Sequence, residues 1–590
     1  MWQFLSRVLG GGGVVEKPPS QNRDGLQELW TPEMRACFSR INHPDVLASI
    51  EDVRKTCRVS AISFGVMFQG ELLFTKGVGL LDPRDSHSNP PDDKTLYTLS
   101  SVSKLFVTVA LGVLVEDGLL RWDDPVGKYL DEFDPKDDER VATQATVADY
   151  LRHIGGLGNP VVSILGPGGK ALVPQQDLIK VANETPNGHQ GKAYFKTWNY
   201  SNLAFGLLAI VIERASGSTF AAFLHERILQ PLGMLNTAVT RDRVLDRADI
   251  AHGYAQMEDG SWVMLEHEWT SEDNSPVLGM VGIRSSVKDM MVFMAAIMQA
   301  FSKTPKSFQF ASLSNLENPL RQVDSILDGP CYWLPSSDSL DNPVDYHFSL
   351  WKVTMPSCMV SLGSYNSILG DGPGFRPNEF RDKHILGQES PKQVLFHTTG
   401  LGFCGPVSVN ILPESGSGIF VSSSTLDRGD ASDLVASILL QAAFDLQPKI
   451  DMVHLAQVET RQRCVMYAKA AEEWEHHRDT TQPEGGRGEY TGQYTGLGIV
   501  LEVWEDSETK GLHLCFNGRK DAIQPRLEHY NMDQYSYWPK TRDDWLRGGW
   551  LDWDSYLIGV LTFKRDGLGK VNGLTWVWER GAEPCLFSKM

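Results

Sequence analysis

Two short groups of residues carry the chemistry of this chain. In Thr98-Leu99-Ser100-Ser101-Val102-Ser103-Lys104, a serine and a lysine stand three residues apart at the head of an apolar run, Leu105 to Val115. That run has the length and pattern of a buried helix. Residues three apart share a helical face, so the Ser101 hydroxyl has an amine within reach. The positive end of the helix dipole favours an oxyanion at the same place. The second group, Trp198-Asn199-Tyr200-Ser201-Asn202-Leu203, holds the sole Tyr-x-Asn of the chain. Tyr200 offers a phenol that can relay a proton. Asn202 offers an amide that can donate to a substrate carbonyl and accept from Lys104.

Neither group decides the matter alone. Ser-x-x-Lys recurs at Ser285/Lys288, Ser349/Lys352 and Ser507/Lys510, and an isolated match reads more readily as a helix cap followed by a surface lysine. Only Ser101 leads directly into a long apolar helix, which would hold a nucleophile rigidly. Tyr-x-Asn without Ser101 reads as an asparagine cap beside a packed tyrosine. His153, in Asp149-Tyr150-Leu151-Arg152-His153-Ile154-Gly155-Gly156, invites a catalytic label, but capping or bridging backbone near the cleft is the plainer role.

The elements that must position these residues follow from patterning. Ala61 to Phe68 and Glu71 to Phe74 read as two strands joined at Gln69-Gly70, ahead of the Ser101 helix. A strand pair feeding a helix gives an α/β layered domain with the nucleophile where helix meets sheet. Ala204 to Ala215 and Ala431 to Phe444 read as further apolar helices. Between about 302 and 392 lies a stretch rich in Pro, Ser, Asp and Gly. It is either an insert or a lid, whose aromatics line an acyl or polyketide-like pocket or form the core of a satellite subdomain. The organisation expected is a flexible leader at 1–25, a catalytic domain at 26–450 including the 302–392 insert or lid, and a helical linker at 451–488. An antiparallel barrel or sandwich follows at 489–590, its seven or eight short strands separated by regular turns.

Composition sets the limits. A chain of 590 residues exceeds a single core, and 42% hydrophobic with 22% charged residues is the balance of a globular protein. A net charge of −19 argues against nucleic acid as partner and suits a small-molecule substrate. The eight cysteines are scattered, with no Cys-x-x-Cys pair and no zinc-like spacing with histidine, and read as reduced thiols. No apolar stretch reaches the length of a membrane span and none makes a continuous signal-type core. The expectation is a cytoplasmic protein with no membrane partner and no metal or organic cofactor; its oligomeric state is left open.

Ser101-x-x-Lys104 and Tyr200-x-Asn202, with Asp123-Asp124-Pro125-Val126, Pro231-Leu232-Gly233-Met234 and Val281-Gly282-Ile283-Arg284-Ser285-Ser286, resemble the serine β-lactamase-related superfamily: class C β-lactamases, penicillin-binding proteins, and related esterases and acyltransferases. The resemblance implies an antiparallel sheet flanked by helices, and for the C-terminal part a lipocalin-like domain. It also implies a third element, a Lys/His-Thr-Gly strand, and the matching string is Leu395-Phe396-His397-Thr398-Thr399-Gly400-Leu401. His397 in the first position resembles the esterase-like branches, and lacks the fixed charge that would hold a β-lactam carboxylate. Thr399 stands where the family has glycine, with Gly400 one later. Either the threonine narrows the cleft or the strand is shifted by one residue, and the second oxyanion donor lies with the N–H of Gly400 or of Leu401, beside that of Ser101.

The resemblance implies a serine hydrolase or acyltransferase in which Ser101 attacks an ester, thioester or amide of a small metabolite. Lys104 and Tyr200 would share the general-base role, Asn202 would orient substrate and Lys104, and His397 would contact the leaving group or Tyr200. β-Lactamase or D-amino-acid peptidase activity, and a non-catalytic binding protein that keeps the fold, are the alternatives.

Overall fold

The computed structural model describes residues 30–590 apart from 190–191, 245–246, 266–274, 335–341, 343, 359–383, 403–404, 426–427, 480–485, 550–555 and 580–581. The leader read at 1–25 lies outside the described residues, as do parts of the 302–392 stretch and of the joint near 480. Two helices open the described chain, α1 (Pro32–Ile41) and α2 (Pro44–Thr56), each with proline at its start. The expected hairpin follows as β1 (Ala61–Phe68) and β2 (Glu71–Gly79). Next come α3 (Ser103–Glu116), α4 (Asn202–Ser216) and α5 (Val287–Ala300). The 302–392 stretch supplies β3 (Tyr332–Leu334), β4 (Val344–Tyr346) and β5 (Trp351–Met355). Then follow β6 (Gln393–Gly400), β7 (Val407–Leu412), β8 (Ser417–Ser423) and the helix α6 (Ala431–Phe444).

These eight strands make one antiparallel sheet in the order β2-β1-β8-β7-β6-β5-β4-β3. Alternation along each strand divides its side chains between two helical layers. On one face Phe64, Val421 and Leu395 pack with α1, α2 and α6; on the other Val409, Phe420 and Phe396 pack with α3, α4 and α5. The helix α3 is buried from Ser103 to Leu114, with no polar face. A helix apolar all round belongs inside a core, and this one is held between α4, α5 and the sheet. The 302–392 segment thus does more than overhang the cleft: three of its strands extend the sheet beyond β6.

A long helix, α7 (Met452–His476), leads to the C-terminal part. There β9 (Gly492–Gly496), β10 (Ile499–Glu505), β11 (Leu512–Phe516), β12 (Arg526–Asn531), β13 (Gln534–Ser536), β14 (Val560–Arg565), β15 (Val571–Trp576) and β16 (Cys585–Lys589) close into an eight-stranded barrel. This is the all-β, lipocalin-like architecture expected. Closure removes free sheet edges, and the interior is filled by Tyr490, Tyr494, Tyr535, Phe563, Trp576 and Phe587. The barrel docks against the first domain: Asn517 Nδ2 donates to Leu172 O at 2.7 Å and Gly498 N to Glu184 Oε2 at 2.8 Å. Trp578, 1% exposed, is pressed onto Gly158, where a Cβ would lie 2.8 Å from its ring.

Candidate active site

Ser101 lies in a single 3-10 turn, Ser100–Val102, that runs into α3. The residue before it, Ser100, adopts φ 46°, in the left-handed region. A side chain there costs about 1–3 kcal/mol and needs support from its surroundings. That support comes from the Ser100 hydroxyl, which donates to Gly405 O at 2.9 Å, and from Leu99 N, which donates to Ile283 O at 2.8 Å. The turn lifts Ser101 out of the core, leaving it half-buried while its neighbours are covered.

Lys104 is 2% exposed. Its Nζ lies 3.1 Å from Ser101 Oγ, 2.8 Å from Asn202 Oδ1 and 2.8 Å from Met280 O. Burial drives its pKa well below the ordinary lysine value. A neutral amine has two N–H bonds and one lone pair. Asn202 Oδ1 and the Met280 carbonyl only accept, so they take both N–H bonds, and the lone pair is left for the serine proton. The orientation of the Asn202 amide is itself fixed, because Nδ2 donates to Asn159 Oδ1 at 3.2 Å and Asn202 N to the same oxygen at 2.9 Å. Ser201, whose hydroxyl accepts from Ala204 N, caps α4. Asn202 is thereby free of the capping role.

Tyr200 OH donates to Ser101 Oγ at 2.9 Å. Burial pushes this phenol up to about 12, against the pull of the hydrogen bond to Ser101. It therefore stays protonated at neutral pH, a donor rather than a base. His153 Nδ1 accepts from Ser201 N at 3.1 Å, and its ring lies 4.3 Å from that of Tyr200. Burial and the nearby Lys104 hold His153 well below its ordinary pKa. It bridges backbone and wedges the tyrosine, the plainer of the two roles expected. Trp198, Tyr346 and Trp351 complete an aromatic wall, with Trp198 5.9 Å from Tyr346 and 5.7 Å from Trp351. Two of these rings come from the strands of the 302–392 segment.

The far wall departs from the sequence reading. His397 does not reach the site. It is 1% exposed and pairs in register with Trp351, with Nδ1 2.9 Å from Asn410 Oδ1 and Nε2 3.8 Å from Asp433 Oδ1 on α6. Burial drives its pKa down to about 4, so it is a neutral core histidine. Thr399, two residues on, shares its face of the strand and is half-exposed. Gly400 is the residue that meets the Ser101 turn, since a Cβ there would fall 2.3 Å from Leu99 O and 3.1 Å from Ser100 Cβ. The strand is shifted by one residue relative to the naive reading, and in a strand one residue exchanges the faces. Thr398 and Gly400, with Phe396, point to the Ser101 side.

The other Ser-x-x-Lys pairs have local duties. Ser286, not Ser285, caps α5, while Ser285 bonds Thr237 at 2.8 Å, and Lys352 pairs with Asp328 at 2.7 Å. The sequence reading missed Asn159, whose signal was an Asn-Pro step after a Gly-rich turn, and the Met280 carbonyl, which no side-chain pattern reveals.

A family model described as Beta-lactamase matches residues 47–442. The chain belongs to the Beta-lactamase family. Its relatives there include Esterase EstB of Burkholderia gladioli, 32% identical over 189 residues that make up 31% of this chain and 47% of the esterase. Penicillin-binding protein 4* of Bacillus subtilis (strain 168) is 30% identical over 192 residues, 31% of this chain and 40% of that protein. The matched segment spans less than half of either relative. Among solved structures, a penicillin-binding protein homologue from Pyrococcus abyssi described as octameric aligns over 93% of this chain and all (100%) of its own, at 16% identity and a TM-score of 0.48. A class C β-lactamase from Rhodobacter sphaeroides aligns over 67% of this chain and 98% of its own, at 17% identity and a TM-score of 0.49. The relatives it matches include an esterase and a putative D-alanyl-D-alanine carboxypeptidase.

Proposed function

We propose that the chain is a serine hydrolase that forms an acyl-enzyme on Ser101 from an ester, thioester or amide of a small, uncharged metabolite. The observation that carries this reading is the double engagement of Ser101 Oγ, 2.9 Å from the Tyr200 phenol and 3.1 Å from the Lys104 amine. Lys104 takes the serine proton as Oγ attacks the carbonyl carbon. The Tyr200 phenol then donates to the leaving group, and the proton held by Lys104 replaces the one it gave. The oxyanion sits at the Ser101 N–H and the backbone of Gly400-Leu401, which approaches the nucleophile turn so closely that only glycine fits. Water releases the acyl group; a bound alcohol or amine would carry it away instead.

The far strand bears on the substrate class. Between Gln393 and Gly400 it brings no lysine to hold a substrate carboxylate, which favours esters over β-lactams and D-amino-acid peptides. The test is intact-protein mass after brief exposure to activated acyl esters, acyl thioesters and a β-lactam. An acyl-sized gain is expected on the wild type from the esters and none on Ser101→Ala. Equal labelling of both proteins would remove Ser101 from the mechanism.

A further inference from the structure

The β3 end of the main sheet holds a group of side chains that the reaction leaves unused. The strand β3 is three residues long and, among the described residues, pairs only with β4, Asp345 facing Trp333 and Tyr346 facing Tyr332. One further step of this register sets Cys331 opposite His347, and Asp345, two residues before His347, shares their face. The Cys331 thiol, a His347 ring nitrogen and an Asp345 oxygen all lie within 4.8 Å of one another. His347 is 3% exposed, and neither of its ring nitrogens has a hydrogen-bond partner among the described residues. Buried polar atoms are nearly always satisfied, so this imidazole calls for a ligand.

We propose that Cys331, Asp345 and His347 form a site for a divalent transition-metal ion of zinc type. Thiolate, imidazole and carboxylate are the donors zinc takes, and three of them leave a fourth position for water. Bonds of ~2.0–2.3 Å in a tetrahedral site set ligand atoms about 3.3–3.8 Å apart. The group therefore has to contract by roughly 1 Å, which the exposed Cys331 can supply by rotation. On binding, the thiol loses its proton to solvent and the sulfur–metal bond forms, with no change of oxidation state. The cations that face the group do not oppose this strongly: Lys352 is paired with Asp328 at 2.7 Å and Arg152 with Asp149 at 2.8 Å.

The site has a place in the reaction. Tyr346 lies between two of the ligands, its ring 5.3 Å from His153 and 4.6 Å from Trp351. An ion tying Cys331 to both neighbours of Tyr346 fastens the short strand β3 and fixes the aromatic wall beside the nucleophile. Nothing in the spacing announces such a site, because cross-strand register, not a local motif, assembles it.

The full chain, stripped of metal by a chelator, is titrated with Co²⁺ and then Zn²⁺. A thiolate-to-cobalt charge-transfer band is expected, which saturates at one ion per chain, disappears when Zn²⁺ is added, and does not form in Cys331→Ser. Zn²⁺ affinity of that variant, from competition with a chromophoric chelator, falls by roughly 100-fold, since outer-shell partners alone are worth ~10–100-fold. Cys331 is exposed, so its serine variant tests the site without disturbing the core. His347→Asn, checked for native circular dichroism, loses the band as well. Cobalt binding without a thiolate band, a band that survives Cys331→Ser, or no binding by the wild type overturns the proposal.

Discussion

The two walls of the cleft are built on different physics. The helical wall works through buried polar atoms: Lys104, Asn202 and Asn159 form a chain of hydrogen bonds, each link fixing the next. The strand wall presents backbone, with Gly400 against the Ser101 turn and Thr398 as its neighbouring side chain, and its histidine is held by Asn410. Reactivity therefore resides in the first wall and shape in the second. A charge change should be felt at the helices, and a volume change at the strand.

Lys104→Met attacks the first wall most directly. It should lower the rate of acylation by about 10²–10⁴-fold, the usual worth of a general base, read by pre-steady-state labelling of Ser101. In the wild type the neutral amine is the active form and its pKa is lowered by burial, so the acylation rate should rise with pH through that lowered value. It should then stay level until Tyr200 ionises near about 12. A profile still climbing at the ordinary lysine pKa would show that Lys104 is not desolvated during reaction.

Gly400→Ala tests the second wall. The added methyl has no room beside Leu99 O and must part strand from turn, with an expected loss of about 10²-fold in kcat, the scale of a misplacement of about 1 Å. Asn159→Ala should cost less, on the order of tenfold, because Asn202 keeps its contact with Lys104 and loses only the group that orients its amide. Soaking this variant with substrate should show the loss in kcat more than in KM. Smallest of all on activity is His397→Ala. Ser101 labelling should be unchanged, whereas chemical denaturation should reveal about 1–3 kcal/mol of lost stability as Asn410 Oδ1 loses its imidazole partner. Slower labelling without instability would return His397 to the site.

The helical wall was legible in the sequence because a helix writes its geometry into spacing. Three residues between Ser101 and Lys104 already imply a shared face, and the apolar run behind them implies burial. Tyr200 and Asn202 could be read from a short motif ahead of a second apolar helix. The strand wall was less legible, since one residue of register reverses every side chain and no local signal chooses between His397 and Thr398. The choice is made by the close approach of Gly400 to Leu99, some three hundred residues away in sequence. Asn159 was hidden for a related reason: its partner at 202 is known only once the Gly-rich turn and the start of α4 are brought together.

Trp578 and Glu579, just past the end of β15, join the two domains. The indole presses on Gly158, and Glu579 Oε2 accepts from the N–H of Asn159 at 3.4 Å. The barrel thus holds from behind the residue that orients Asn202, and a continuous apolar cluster runs between the two bodies. Modules joined in this way are not interchangeable parts. A cut in the joining segment would strand an indole in water and unmoor the amide chain behind Lys104. The two bodies should therefore melt in a single calorimetric transition.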